Sequence, residues 1–155
     1  MRKLTTFNNP ALKAKCTPIT EFNDSLSSIV SDMRTIMLEN NGCGLAAPQV
    51  GETQRIILIK RQIKKGILVI VNPEITCRSE NTTKGIEGCL SYPGYIKEIV
   101  RPNAIDIKGQ DIYGNEFILH LVGLEARIAC HEVDHLNGLC QVSTGKKREK
   151  LEKAI

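Results

Sequence analysis

The sequence predicts an α+β fold in which antiparallel β-sheets pack around a central late helix, with an amphipathic helix near the N-terminus. An apolar stripe at helical spacing over residues 26–37 predicts the first helix. The segment His-Glu-Val-Asp-His at 131–135, inside the run from Gly123 to Gly138, predicts the second. Between them, residues 55–122 hold several short runs rich in Ile, Val and Leu. Strands followed by one long helix indicate α+β rather than alternating βαβ units.

The 155 residues are expected to form a single catalytic domain, 1–155. Its apolar and charged fractions, 41% and 25%, are typical of globular proteins. Part of the net charge of +4 comes from the basic segment 146–155, for which we expect a short helix or a solvated tail. This mild asymmetry argues against a dedicated nucleic-acid module, which would show a basic face with interleaved aromatics. No apolar run approaches the length needed to span a membrane.

The first 20 residues are polar and contain Pro10 and Pro18, so they do not resemble a secretion signal. We therefore expect a cytoplasmic protein whose six cysteines are reduced. A small buried thiol is the expectation for Cys16, Cys77 and Cys140.

The elements follow one another as local signals predict. The first helix has Leu26, Ile29, Val30, Met33, Ile36 and Met37 on one face. It has capping residues at 23–25 and a stop signal, Asn-Asn-Gly, at 40–42. The next segment, 42–51, is rich in glycine and alanine and fits either a packed turn or a ligand-binding loop.

Five apolar runs predict strands. Residues 55–60 and 67–72 form an expected hairpin, and Asn72-Pro73 is expected to end its second strand. Residues 80–85 are polar and are not predicted as a strand. Further strands are expected at 96–100, 104–108 and 116–122, with a turn at 111–115 before the last.

The segment at 131–135 has the spacing of a metal site. On a helix, His131 and His135 lie one turn apart on one face, so both imidazoles can reach one ion. Glu132 lies one step round the helix, where its carboxylate can reach water beside the metal. Ile128 and Leu124 share the face of His131 and would form an apolar wall there. Gly138 is a plausible end of the helix.

Two histidines need a third ligand, and Cys89 is the best candidate. The position where a third histidine would follow in one common pattern is Gln141, and the late glutamates Glu149 and Glu152 lie among lysines. Cys89 follows a glycine, where the backbone can bend towards the helix, and a thiolate with two imidazoles suits Zn²⁺ or Fe²⁺. Cys43 is the second choice.

Three segments together resemble the signature motifs of the peptide deformylases. They are residues 42–49 (Gly-Cys-Gly-Leu-Ala-Ala-Pro-Gln), 87–91 (Glu-Gly-Cys-Leu-Ser) and 131–135. They occur in the family's order at similar separations, and the likeness covers nearly the whole chain, to Gly138. The resemblance implies a metal-dependent hydrolase that removes the formyl group from the N-terminal formyl-methionine of nascent polypeptides and releases formate.

The resemblance also implies roles for particular residues. Cys89, His131 and His135 would hold one divalent ion, with Fe²⁺ the physiological metal and Zn²⁺ or Ni²⁺ possible. Glu132 would be the general base, and the Gln49 amide and the Leu90 backbone N–H would stabilise the oxyanion.

For the substrate, we expect an extended peptide bonded to a strand edge, with Gly44 allowing close approach. Ile86, Leu124 and Ile128 would either accept the methionine side chain or be ordinary core residues. Glu87 would either pair with Arg101 and hold the cysteine segment or form a solvated pair with it.

The expected partner is a formyl-methionyl peptide or nascent chain, with the ribosome surface as a further candidate. The protein is expected to be a monomer and to bind no specific nucleic-acid sequence and no membrane. Two other functions stay open from the sequence. One is a different Cys/His/His metalloamidase or peptidase. The other is a non-catalytic relative that binds nascent chains or ribosomes.

Overall fold

A computed structural model describes residues 1–148 of the chain. Its two α-helices are α1, Asp24–Glu39, and α2, Leu124–Leu136. Its strands are β1 Gly44–Ala46, β2 Ile56–Lys60, β3 Ile67–Arg78, β4 Thr82–Gly88, β5 Tyr95–Pro102, β6 Ala104–Gln110, β7 Glu116–Val122 and β8 Lys146–Lys147. Short 3-10 helices cover Pro10–Lys13, Ala47–Val50 and Gln141–Thr144.

Helix α1 forms as its sequence predicts. The Asn23 side chain accepts a hydrogen bond from the Leu26 N–H at 3.2 Å and caps the first turn. The helix stops where Asn41 adopts a positive φ of 55°. The six apolar residues of the predicted stripe are all buried, which confirms that this face of α1 is core.

Both helices pack on one five-stranded antiparallel sheet of order β1-β2-β3-β6-β7. Strand β2 contributes to both faces, because successive side chains of a strand point in opposite directions. Ile57 and Ile59 pack in the apolar cluster with α2, whereas Ile56 and Leu58 pack in the cluster with α1. A strand buried on both faces is an uninterrupted apolar run, and this is why β2 is so clear in the sequence.

Strand β3 continues past Asn72-Pro73, where the sequence predicted its end. The pairing of β3 with β2 stops at Val71, and its pairing with β6 runs from Val71 to Arg78 through two register shifts. Pro73 lies within the first of these irregularities, where a missing backbone N–H does not interrupt the ladder. The predicted hairpin of β2 and β3 is therefore confirmed, whereas the predicted end of its second strand at Asn72-Pro73 was wrong.

The second sheet has three strands, in the order β4-β5-β8. Strand β4 begins at Thr82, so the polar segment 80–85 is partly a strand that the sequence did not predict. Most of β4 is exposed except at its end, where Glu87 and Gly88 are buried. An exposed edge strand needs no apolar periodicity, and its pairing with β5 supplies the order.

The chain after α2 returns to this second sheet. Lys146 and Lys147 of β8 pair with Ile96 and Tyr95 of β5, so the start of segment 146–155 is a strand rather than a helix or a free tail. Residues 149–155 lie outside the described residues, and the rest of that prediction is untested. Within residues 1–148, no helix is long and apolar enough to cross a membrane.

Candidate metal centre

Helix α2 carries the two histidines on its buried face. The imidazole rings of His131 and His135 have their centroids 5.0 Å apart in an edge-on arrangement. Both residues are buried, as is Glu132 between them. One helical turn separates the histidines, as the sequence predicted, and their ring nitrogens converge on one point.

Cys89 joins the histidines at the end of β4. Its Sγ lies 3.3 Å from His135 Nε2, and it is buried. The bend after Gly88 brings the sulfur from the second sheet towards α2. The second-choice ligand, Cys43, lies instead in the apolar cluster between the main sheet and α2, and it is not part of the group of possible ligands within the described residues.

Cys140 is a fourth possible ligand, and the sequence did not reveal it. The ligand atoms of Cys89, His131, His135 and Cys140 all lie within 4.8 Å of one another. The prediction of an inert buried thiol was therefore wrong for Cys140, and it was also wrong for Cys77, which is exposed. The prediction holds for Cys16. The only signal for Cys140 was its position two residues after the expected helix end at Gly138.

Several buried polar atoms of this centre lack a hydrogen-bond partner among residues 1–148. They are His131 Nε2, His135 Nδ1 and both carboxylate oxygens of Glu132. Buried polar atoms are nearly always paired, so each of these indicates a ligand or an ordered water. Burial also raises the pKa of the Cys89 thiol well above its usual value, and a cation would offset this effect. Two imidazoles beside sulfur are a donor set that fits a divalent transition metal.

Glu87 holds His131 from behind. The Glu87 carboxylate lies 2.8 Å from His131 Nδ1, so it accepts the Nδ1–H and leaves Nε2 as the free lone pair. Burial alone would raise the pKa of Glu87, but hydrogen bonds from His131 and Arg101 outweigh it and lower the pKa to about 2. Glu87 is therefore ionised and fixes the imidazole in a ligating orientation.

Two arginines neutralise Glu87. Arg101 donates from Nε and a terminal nitrogen to the two carboxylate oxygens at 2.9 and 3.0 Å, so the predicted Glu87–Arg101 pair is confirmed and is buried. Arg101 also donates to Asp134 at 2.8 Å. Arg127 donates to Glu87 at 2.7 Å, a partner that sequence reasoning missed. A Cβ at Gly85 would lie 2.8 Å from Arg127 Cζ, so glycine at this position leaves the room that the Arg127 guanidinium occupies.

Gln49 lies beside the sulfur of Cys89. Its carbonyl oxygen accepts from the Ala46 N–H at 3.0 Å, which orients the amide. Its Nε2 then donates to Ser91 Oγ at 3.2 Å and lies 3.6 Å from Cys89 Sγ. Leu90 follows Cys89 directly, so both predicted oxyanion donors belong to groups next to the possible ligands.

Gly44 borders Glu132. A Cβ at Gly44 would lie 2.5 Å from Glu132 Oε2 and 2.6 Å from Ile128 Cγ2. Glycine is needed here to make room for the carboxylate. Burial raises the pKa of Glu132 to about 8, which is suited to a group that exchanges protons near neutral pH.

The predicted apolar residues divide into one that lies in the centre and two that do not. Ile128 is buried beside Gly44 and Glu132. Leu124 is 45% exposed at the first residue of α2, because seven residues of helix place it about 10 Å along the axis from His131. Ile86 is 51% exposed, since it points to the face of β4 opposite Glu87. The wall beside the metal therefore includes Ile128 but not Leu124.

A helix bearing His-Glu-x-x-His, a sulfur ligand from a neighbouring strand and a buried carboxylate define a metallohydrolase centre. The comparisons with known proteins agree with this class. The model of the polypeptide deformylase family matches residues 1–150, and the chain belongs to that family. This is a metal-dependent family, and the chain's sulfur and histidine cluster is consistent with it.

Individual relatives cover most of the chain. It is 43% identical to peptide deformylase 1 of Clostridium perfringens over 139 residues, 90% of this chain and 94% of the relative. It is 42% identical to a peptide deformylase of Caldicellulosiruptor bescii over 139 residues, 90% of this chain and 82% of the relative. The solved structure of peptide deformylase from Thermotoga maritima is 35% identical, with a TM-score of 0.87 over 94% of this chain and 98% of that one.

Proposed function

We propose that this protein removes the N-terminal formyl group from formyl-methionine of nascent polypeptides and releases formate, with a divalent ion held by Cys89, His131 and His135. The observation that carries the proposal is the buried Glu132 carboxylate, whose two oxygens have no partner among the described residues and which interacts electrostatically with both Cys89 and His131. A carboxylate in this position suits proton transfer to and from water.

When bound, the ion would act as a Lewis acid, lowering the pKa of water and polarising the formyl oxygen. The mixed sulfur and nitrogen donors support Fe²⁺ as the physiological metal, with Zn²⁺ and Ni²⁺ as substitutes. Glu87 contributes from outside the ligand set, because its bond to His131 Nδ1 keeps Nε2 directed at the ion.

Glu132 would take the proton of the attacking water and later deliver it to the leaving amine nitrogen. Its carboxylate packs against Gly44, where an added Cβ would lie only 2.5 Å from Oε2. The raised pKa, about 8, favours return of the proton once it has been taken. Negative charge grows on the formyl oxygen during attack, and the Gln49 amide and the Leu90 N–H would donate to it. The bond from Ala46 N–H to the Gln49 carbonyl supports this role, since it orients the amide in advance.

The nascent peptide would bind as an added strand. Among the described residues β1 and β4 each pair with only one neighbour, so each has a free edge for main-chain hydrogen bonds that require no particular sequence. We propose that the substrate-binding residues predicted from the sequence act along these edges. Gly44 and Ile128 would border the formyl-methionine, Ile86 and Leu124 would contact its outer parts, and Glu87 would act through His131.

A monomer in the cytoplasm, acting on chains as they leave the ribosome, is the setting that suits this reaction. Main-chain recognition of an extended segment serves nascent chains of any sequence.

The test is a formate-release assay on protein prepared without oxygen and loaded with Fe²⁺, with formyl-Met and acetyl-Met peptides compared. We expect formate from the first and no acetate from the second. Cleavage of acetyl-Met or internal peptide bonds at similar rates would favour another metalloamidase. Absence of turnover with full metal content would favour a non-catalytic relative.

Two glutamates of α2 provide a matched pair for the base. Glu132→Gln should retain metal and lose at least about a hundredfold in formate release, the usual contribution of a general base. Glu125→Gln is the control, because Glu125 is also buried on α2 but lies two helical turns before Glu132 and pairs with Arg61 at 2.9 Å. Near-normal turnover in Glu132→Gln would remove this residue from the mechanism.

A further inference from the structure

The segment after α2 carries a sulfur into the metal centre. It turns at Gly138, which has a positive φ of 76°, and reaches Cys140 in an extended conformation with φ −148° and ψ 110°. Cys140 then precedes the 3-10 helix Gln141–Thr144. The Sγ of Cys140 lies within 4.8 Å of the ligand atoms of Cys89, His131 and His135.

This placement of Cys140 is built into the fold. Val142, two residues later, is fully buried in an apolar cluster with Cys89 and Ile99, and Cys140 packs against the same cluster. The Lys97 ammonium donates to Thr144 Oγ1 at 2.6 Å. These contacts hold the segment against β5, the neighbour of β4, which ends one residue before Cys89.

A second attachment follows immediately. A Cβ at Gly145 would lie 2.1 Å from the carbonyl oxygen of Ile96, so the backbones touch at this point. Lys146 then pairs with Ile96 in β8. Cys140 is thus fixed between the end of α2 and a strand ladder, and its sulfur is not on a free loop.

We propose that Cys140 is a fourth protein ligand of the metal ion in the resting enzyme, together with Cys89, His131 and His135. The inference rests on the metal site of the proposed function and adds a ligand to it. Two sulfurs and two imidazole nitrogens form the four-coordinate donor set that Zn²⁺ adopts readily. Two thiolates would also balance the charge of a divalent ion in a buried site, where an uncompensated charge is costly.

The ligation has a consequence for the reaction. Catalytic zinc sites keep one coordination position for water, whereas sites with four protein ligands are closed. If Cys140 occupies that position, it would exclude water from the ion, and attack on the formyl group would require this sulfur to move away. Removing Cys140 should therefore weaken metal binding and raise turnover per bound ion.

The decisive experiment counts sulfur neighbours by X-ray absorption on the Zn²⁺-loaded protein. The wild type should show two sulfurs at about 2.3 Å, and Cys140→Ser should show one. Cys16→Ser is the matched control, because Cys16 is buried outside the cluster and its loss should leave both sulfurs in place. One sulfur in the wild type would overturn the proposal.

Metal affinity gives a second readout. In competition with a chelator, Cys140→Ser should bind Zn²⁺ at least about tenfold more weakly, since loss of even an outer partner costs that much. An unchanged affinity would contradict the ligation.

If Cys140→Ser does not fold, the wild type still decides. Alkylation followed by peptide mapping should show that Zn²⁺ protects Cys89 and Cys140 together, while exposed Cys77 reacts with and without the ion. Modification of Cys140 at the same rate with and without Zn²⁺ would overturn the proposal.

Formate release is measured separately, which keeps the two proposals distinguishable. Two sulfurs with no deformylation, in the wild type and in metal-loaded Cys140→Ser, would leave the ligation standing and remove the proposed function. Formate release by a wild-type protein that shows one sulfur neighbour at the ion would support the proposed function and remove the ligation by Cys140.

Discussion

Replacement of Gly44 by alanine tests whether the close packing of β1 against Glu132 positions the catalytic carboxylate. The added Cβ would lie 2.5 Å from Glu132 Oε2 and 2.6 Å from Ile128 Cγ2. Ordinary contact distances are about 3.5 Å, so the carboxylate or β1 must move by roughly 1 Å. We expect the carboxylate to move, because β1 is held in register by β2 at Gly44, Leu45 and Ala46.

The magnitude follows from that displacement. A misplacement of about 1 Å typically costs about a hundredfold in rate, and overpacking a core costs about 1–3 kcal/mol of stability. Gly44→Ala should therefore fold, bind metal and lose about a hundredfold in kcat/KM for a formyl-Met peptide. The measurements are formate release at a fixed metal content and urea unfolding.

A control variant separates the site effect from general destabilisation. Gly66 lies between β2 and β3 with φ 108°, and a Cβ there would have no atom within 4 Å. Gly66→Ala should lose stability through backbone strain, about 1–3 kcal/mol, with no change in kcat/KM. A Gly44→Ala enzyme that keeps wild-type kcat/KM at full metal content would refute the reasoning about Glu132.

Three further outcomes are expected. Glu87→Gln removes the negative charge that pairs with Arg101 and His131. The free energy of unfolding in urea should fall by about 3 kcal/mol, and metal binding should weaken about 10- to 100-fold in titration. Unchanged metal affinity would contradict the role of Glu87 behind His131. Burial raises the pKa of Cys16 from 9.0 to about 11, so the native state favours the neutral thiol. This contribution to the free energy of unfolding is fully present below pH 9, and up to about 3 kcal/mol of it is lost as the pH rises to 11. Between pH 9 and 11, the free energy of unfolding should depend less on pH in Cys16→Ala than in the wild type. The same pH dependence in both would exclude this thiol as the cause of the loss. A chelator should abolish formate release and lower Tm, and Fe²⁺ or Zn²⁺ should restore both; unchanged Tm would mean that the ion contributes nothing to folding.

Much of the fold was predictable because its signals are local. The stripe and caps of α1 depend on residues within a few positions of one another, and β2 is apolar at successive positions because both its faces are buried. The end of β3 was misplaced, since its continuation after Pro73 depends on pairing with β6. Strand β4 was missed for a similar reason: its order comes from β5, and its exposed residues carry no apolar pattern.

The site divides in the same way. His131 and His135 could be placed together because helix geometry relates residues four apart, and Cys89 could be predicted as the third ligand because it follows a glycine and carries a sulfur that suits Zn²⁺ or Fe²⁺. The structure brings that sulfur to 3.3 Å from His135. Arg127 was missed, because its contact with Glu87 crosses from α2 to β4 through the space left by Gly85.

By itself the sequence determined the chemical class of the centre: two imidazoles and a carboxylate on one helix, with a cysteine after a glycine bend. Only the tertiary structure decided which side chains complete it. The approach of Cys140, and the outward positions of Leu124 and Ile86, depend on how α2, β4 and the segment after α2 pack together. The physical reason is range: helix faces and caps arise between near neighbours in the chain, whereas a metal site is assembled from segments that meet only once both sheets have formed.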